Sequence, residues 1–151
     1  MTRATLYFED VTEGQEVPGF QRTTDLMHWN RFAAVNDEFV YLHMDDEFAK
    51  RRGEKGVLAM GHLRFSYLHN MLRDWIGDSG RIRRVACQYR GINYKGDTLT
   101  CRGCLIKKYR RGGDNLVDLD LRVENQDGQI ISPGQATVAL PSRERGTGGP
   151  T

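Results

Sequence analysis

Gly56–Trp75 reads GVLAMGHLRFSYLHNMLRDW. Within it Leu63, Tyr67 and Met71, joined by Leu68, Leu72 and Trp75, recur at spacings of three and four. That is the stripe of a helix with one buried face. A Gly56 break precedes the pattern, and Gly77 with the Asp78-Ser79-Gly80 cluster ends it. No other stretch has a helical pattern of such length, and the chain beyond Gly80 reads as strands. One long helix wrapped by a sheet is therefore expected. The helix opens near Met60-Gly61-His62, where unpaired backbone N–H groups would point at a ligand.

Downstream, the period changes from 3.6 to 2. Val85, Cys87 and Tyr89 alternate with Arg84, Ala86, Gln88 and Arg90, the pattern of a half-buried strand. Lys95-Gly96-Asp97 is a turn, Thr98 to Lys108 a second strand, and residues 110–115 (RRGGDN) a hairpin loop. Val117, Leu119, Leu121 and Val123 alternate with Asp118, Asp120, Arg122 and Glu124, the cleanest strand in the chain. After a turn at residues 125–128, Gln129 to Leu140 closes the sheet, with Pro133-Gly134 expected at a bulge or edge. From Ser142 the tail SRERGTGGPT is expected to be disordered, which leaves one domain over residues 1–141. Upstream, residues 5–22 read as an entry loop and a short strand near Phe20–Arg22. Thr24 or Asp25 can cap a helix through Met27, Trp29 and Phe32 that stops around Asn36. Residues 37–44 form an irregular link, and residues 45–51 give one or two helical turns with acids first and bases last, as the helix dipole prefers. The sum is an α+β domain whose antiparallel sheet curls around the central helix. Such a sheet has edges to manage, and pairing two copies edge to edge is economical, so a dimer is expected.

Composition agrees. The chain has 151 residues, 38% hydrophobic and 28% charged, with a net charge of +2, which fits a globular protein with its own core. There is no apolar run of about 18 residues to span a membrane. The first residues, MTRATLYFEDVTEG, lack the apolar core of a signal peptide, so the expected compartment is the cytoplasm. The modest charge is no argument for nucleic acid; the basic clusters at residues 81–84, 107–108 and 110–111 read as solvated strand ends, the alternative being that some of them meet an anionic ligand such as a nucleotide phosphate. Cys87, Cys101 and Cys104 make neither a disulfide framework nor a full zinc site. Cys101 and Cys104 have the spacing of a redox or metal pair, but they fall in a strand pattern with no second pair, and a structural reading is favoured.

Chemistry gathers in residues 36–45, NDEFVYLHMD, where carboxylates and an imidazole share a link between helices. A general base needs a partner that orients it, and a carboxylate with an imidazole can hold a water and move its protons. His43 is the candidate base, with Asp37 or Glu38 as the acid; the alternative is that the acids cap a helix end and His43 packs. Gly61 is the second candidate. A glycine at the first turn of a buried helix permits close approach, and its N–H could bind a carbonyl oxygen that gains negative charge. The alternative is that Gly61 simply lets a neighbouring element come near. His28, His62 and His69 read as solvated or core residues.

Residues 35–39 (VNDEF), His43-Met44-Asp45, Phe48-Ala49, residues 56–61 (GVLAMG) and residues 94–99 (YKGDTL) together resemble the MaoC-like hot-dog proteins, which include (R)-specific enoyl-CoA hydratases and acyl dehydratases. The resemblance covers about residues 5–140. It implies a hot-dog domain in which an Asp–His pair activates water for addition to a trans-2-enoyl thioester, while a glycine N–H at the helix start stabilises the thioester oxygen. It also implies a cleft between subunits for the acyl-CoA, with no metal or redox cofactor. Carried over by position, His43 is the imidazole, Gly61 the oxyanion donor and Glu38 the acid. Glu38 is one methylene longer than the family's Asp, and Asp37 takes the acid role if the loop holds one extra residue. Val40-Tyr41 replaces the usual Asn-Pro, and Met60 stands where the family often has His before the glycine. Two further readings stay open: a non-catalytic hot-dog subunit of a heteromeric hydratase, and a hot-dog thioesterase. The thioesterase would want a carboxylate on the central helix, which offers only Asp74 at its far end.

Overall fold

The computed structural model describes residues 5–144. Its elements are β1 (Glu16–Thr23), α1 (Leu26–Asn36), α2 (Asp46–Arg51), α3 (Gly61–Ile76), β2 (Arg81–Cys87), β3 (Thr98–Arg111), β4 (Asp114–Glu124) and β5 (Ile130–Leu140). The strands form one five-stranded antiparallel sheet in the order β1-β3-β4-β5-β2. The expected long helix is α3, and the sheet curls around it.

The core follows from two periodicities meeting. Leu63, Tyr67, Leu68, Met71, Leu72 and Ile76 are buried along one stripe of α3. Facing them are the inward residues of the central strands: Leu99, Cys101 and Leu105 from β3, and Val117, Leu119, Leu121 and Val123 from β4. At Gly103 helix and sheet come close, since a Cβ there would lie 3.3 Å from Met71 on α3 and 3.1 Å from Leu121 on the neighbouring strand. The helix stops at Gly77, which adopts φ 65° and returns its N–H to the Arg73 carbonyl at 3.2 Å.

The central helix begins at Gly61, as expected from Met60-Gly61-His62, and residues 57–60 before it are extended because N–H and C=O groups among them pair with other segments. Three expectations change in detail. The hairpin loop expected over residues 110–115 shrinks to Gly112-Gly113, since β3 and β4 stay paired to Arg111↔Asp114. Both glycines have positive φ, 59° and 82°, as a tight two-residue turn requires. β5 is no edge, for it lies between β4 and β2. Pro133 is tolerated there because β2 ends alongside at Cys87↔Gly134. Finally, β2 stops at Cys87, so Tyr89 leaves the alternation; its segment still runs beside β5 through Gln88 N–H to Pro133 O at 2.9 Å, but its ring turns onto α3.

The Cys101/Cys104 pair separates for a plain reason. On β3 residues three apart face opposite sides and lie ~10 Å apart along the strand, so Cys101 is buried and Cys104 half-buried on the other face. Of the tail, residues 145–151 lie outside the described residues. Residues 142–144 are held: Ser142 bonds the Glu9 carboxylate, Arg143 forks onto Asp10 at 2.6 and 3.0 Å, and Glu144 pairs with Arg110. No helix among the described residues is long and apolar enough to cross a membrane.

Candidate active site

Asp25 opens the approach to the site. Its carboxylate accepts the His28 N–H at 3.0 Å and caps α1. α1 ends at Asp37, the one non-glycine residue with positive φ (54°) among those described, and its N–H returns to Ala33 O. This left-handed cap swings the chain so that Glu38 is half-buried while Phe39 and Val40 face outward. Next comes a 3-10 turn at Tyr41–His43, and Asp45 caps α2 by accepting the Phe48 N–H at 2.8 Å. Asp46 reaches further, accepting the Val57 N–H at 3.0 Å and pairing with Lys50 at 2.7 Å.

Residues 57–60 are the strut between the catalytic candidates. Leu58 N–H donates to Leu42 O at 3.3 Å, and Ala59 N–H donates to Asn93 O at 2.9 Å. Leu58 also bridges Tyr94. The His43 ring closes this arrangement, with Nδ1 2.7 Å from the Leu58 carbonyl oxygen. A carbonyl only accepts, so the ring proton sits on Nδ1 and the neutral imidazole keeps its lone pair on Nε2. Gly61 is three residues beyond Leu58, within ~10 Å along the chain. Its amide and that of His62 open α3 with no acceptor among the described residues.

The structure also shows what stands against Gly61. A Cβ there would meet the Tyr89 ring at 2.9–3.0 Å, so glycine is required by an aromatic neighbour whether or not a ligand approaches. Tyr89 is in turn packed edge-on to His62, with centroids 5.9 Å apart, and lies 5.4 Å from the Arg64 guanidinium. Arg64 is 4% exposed and donates to Gly91 O at 2.6 Å, which pins this segment to the first turns of α3. Burial pushes the Tyr89 phenol and the Cys87 thiol above their ordinary values.

Glu38 also meets α3's first turn, at His62. Glu38 Oε1 is 3.7 Å from His62 Nδ1. Both line a groove of about 750 Å³ whose apolar walls are Phe32, Phe39, Val40 and Phe65. Asp37 lies on the same groove. Among the described residues neither acid hydrogen-bonds His43. A separate concavity of about 540 Å³ over Arg84, Asp120, Arg122 and Gln135 contains none of the candidates. No group of three or more His, Cys, Asp or Glu among the described residues could hold a metal ion.

Sequence reading placed His43, Asp37, Glu38 and Gly61 in one neighbourhood. It missed His62 as the imidazole nearest Glu38, Tyr89 as the group on Gly61, and Arg64 altogether. Arg64 had a signal: it falls inside the buried stripe of α3, three residues from Gly61, where a charge is out of place.

A single helix cradled by an antiparallel sheet in this strand order, with its free N-terminal amides beside an acid–imidazole link, is a hot-dog domain. The MaoC like domain family matches residues 11–126, and the chain belongs to it. No curated protein matches the chain. Among solved structures, the unliganded R-hydratase PhaJ1 from Pseudomonas aeruginosa is similar with a TM-score of 0.84 and 20% identity, over 97% of this chain and 96% of that one. The (R)-hydratase from A. caviae involved in PHA biosynthesis gives 0.80 and 22%, over 88% and 99%. The ChsH1–ChsH2 complex from Mycobacterium tuberculosis gives 0.76 and 19%, over 85% and 98%. At these identities the likeness is one of fold.

Proposed function

We propose that this MaoC-like domain is a hydratase or dehydratase of enoyl-CoA and 3-hydroxyacyl-CoA thioesters. His43, with Glu38 or Asp37, holds a water at C3 of the enoyl group. The water's oxygen bonds to C3, one of its protons passes to the acid–imidazole pair, and a proton is returned to C2. The thioester oxygen, which gains negative charge on the way, is met by the Gly61 amide. The coenzyme A thioester is the substrate, and the chemistry asks for no metal or redox cofactor. The working unit is a dimer or larger assembly in the cytoplasm.

The observation that supports this most is the Leu58 strut. One carbonyl fixes the His43 ring with its basic nitrogen free, and three residues on the same chain delivers the unpaired Gly61 amide. The purified protein should hydrate crotonyl-CoA, monitored by loss of enoyl-thioester absorbance, and His43→Ala should reduce the rate by about a hundredfold or more. A His43→Ala variant as fast as the parent would end the assignment.

A second reading, a non-catalytic subunit completing a heteromeric hydratase, draws on Glu38 lying beside His62 rather than bonded to His43. It is tested in the same assay, since activity would then appear only after a second hot-dog subunit is added. Release of free CoA thiol would mark a thioesterase instead.

A further inference from the structure

We propose that Arg64 is a further functional residue of this site, a buried cation that favours the negative charge gathering on a thioester oxygen at the Gly61 amide. The inference rests on the hydratase reading and adds a residue to its site.

Arg64 stands where packing least favours a charge. It lies on the stripe of α3 that buries Leu63, Tyr67 and Leu68, and it is 4% exposed. Its Nη1 donates to Gly91 O at 2.6 Å, while its Nε has no partner. Among the described residues no carboxylate pairs with it. The titratable groups that act on it are Cys87 and Tyr89. Burial pushes both above their ordinary values, so both stay neutral at working pH. Glu38 acts on Tyr89 from the link, but its own near neighbour is His62. Burial also holds Arg64 below its ordinary 12.5, yet an arginine stays charged throughout the range in which proteins work. A buried cation without a counter-charge destabilises a fold, and an apolar side chain of similar volume would be tolerated better.

Its place on the helix adds to that cost. Cations suit the C-terminal end of a helix, where the dipole is negative, and Arg64 stands near the positive end. Met60 supplies no capping side chain, and the Gly61 and His62 amides have no acceptor among the described residues. Helix side chains lean toward the N-terminus, so each covers the turn before its own Cα. The contacts agree. The guanidinium lies 5.4 Å from the centroid of the Tyr89 ring, and that ring would meet a Cβ on Gly61 at 2.9–3.0 Å. One aromatic ring thus separates the cation from the open helix start. An unpaired charge, a dipole end of the same sign and free N–H groups are all relieved by one event, the arrival of negative charge there. In thioester hydration that charge develops only as C3 is attacked, so the arrangement acts on the transition state more than on the bound substrate. Across ~6–10 Å at an effective dielectric of about 20, one unit charge favours its opposite by about tenfold to a hundredfold.

The test uses Arg64→Met, which keeps most of the volume and removes the charge, and Arg64→Lys, which keeps the charge and loses the planar fork. Crotonyl-CoA kinetics, thermal midpoints and the near-ultraviolet enolate band of bound acetoacetyl-CoA are measured in the parent and in each variant. In Arg64→Met the expected kcat is lower by about tenfold to a hundredfold, with KM within about threefold of the parent. Its enolate band should appear at a pH higher by about one to two. Arg64→Lys should retain most of the rate and the parent's titration. Parent-like kcat and titration in Arg64→Met overturn the inference. So do equal losses in both variants that follow their thermal midpoints, because Arg64 then only holds the Gly91 segment in place. Should the parent hydrate no crotonyl-CoA, the hydratase reading fails alone and the enolate titration decides. A shift in Arg64→Met that Arg64→Lys lacks then sustains the inference, and coincident curves or no bound enolate overturn it.

Discussion

At Gly61 two demands coincide, an aromatic ring against the α-carbon and a free amide at the helix start. They can be separated. Gly61→Ala drives a methyl into Tyr89 and should cost about 1–3 kcal/mol of stability, measured by urea denaturation. Tyr89→Ala in the same chain should return much of that loss, because the ring is the obstacle. If activity returns with stability, the glycine serves Tyr89; if only stability returns, a ligand also needs the space. Asp37 is legible in a different way. Its positive φ makes it the left-handed cap of α1, a conformation that costs a β-branched residue about 1–3 kcal/mol and glycine none. Asp37→Val should therefore lower stability by about 1 kcal/mol or more while Asp37→Gly stays close to the parent. Activity that survives in Asp37→Gly would leave Glu38 as the acid. Sequence order brought these residues to notice, but spacing could not say which acid caps α1 and which meets His62. That depended on one backbone angle at Asp37.

At the level of elements, α3 carries both the core and the site. Leu68 and Met71 are 0% and 1% exposed against the sheet, and replacing either with alanine should cost about 2–5 kcal/mol. The first turn hangs on different contacts, namely the strut at residues 57–60 and the Arg64–Gly91 bond. Arg64→Met keeps most of the buried volume but releases the Gly91 carbonyl and the Tyr89 ring. It should reduce thioester turnover more than it lowers the thermal midpoint, a comparison readable by running the assay beside calorimetry. The stripe and the alternation of β4 were plain in the sequence because each repeats a local geometry. The pairing that holds residues 57–60 extended ahead of the helix was not, since its partners at Leu42 and Asn93 lie far along the chain.

For the molecule as a whole, the ends of the described chain are clasped together by charge. The Ser142 hydroxyl holds Glu9, and the Arg143 guanidinium holds Asp10, below their ordinary values of 4.5 and 3.8. Arg122 and then Arg102 do the same for Glu124. A carboxyl lowered by folding adds stability that is whole above its unfolded value and drains away as pH falls through the folded one. Urea midpoints should thus hold level at neutral pH and drop below about pH 4, less steeply in high salt, where exposed pairs are screened. Arg143→Ala should flatten the drop. At the other extreme, burial pushes the Cys101 thiol up to about 12. A thiol reagent at mild alkaline pH should label Cys101 only after unfolding, while the half-buried Cys87 and Cys104 react sooner. By itself the sequence determined that one amphipathic helix would be wrapped by alternating strands, and that acids, an imidazole and a helix-opening glycine belong to one stretch of chain. Those properties repeat or adjoin locally, so they are written in the order of residues. Only the tertiary structure decided that β5 lies inside the sheet, that Tyr89 rests on Gly61 and that Glu38 meets His62. Each of these is a meeting of distant segments, fixed when the sheet closes around the helix and not by any spacing along the chain.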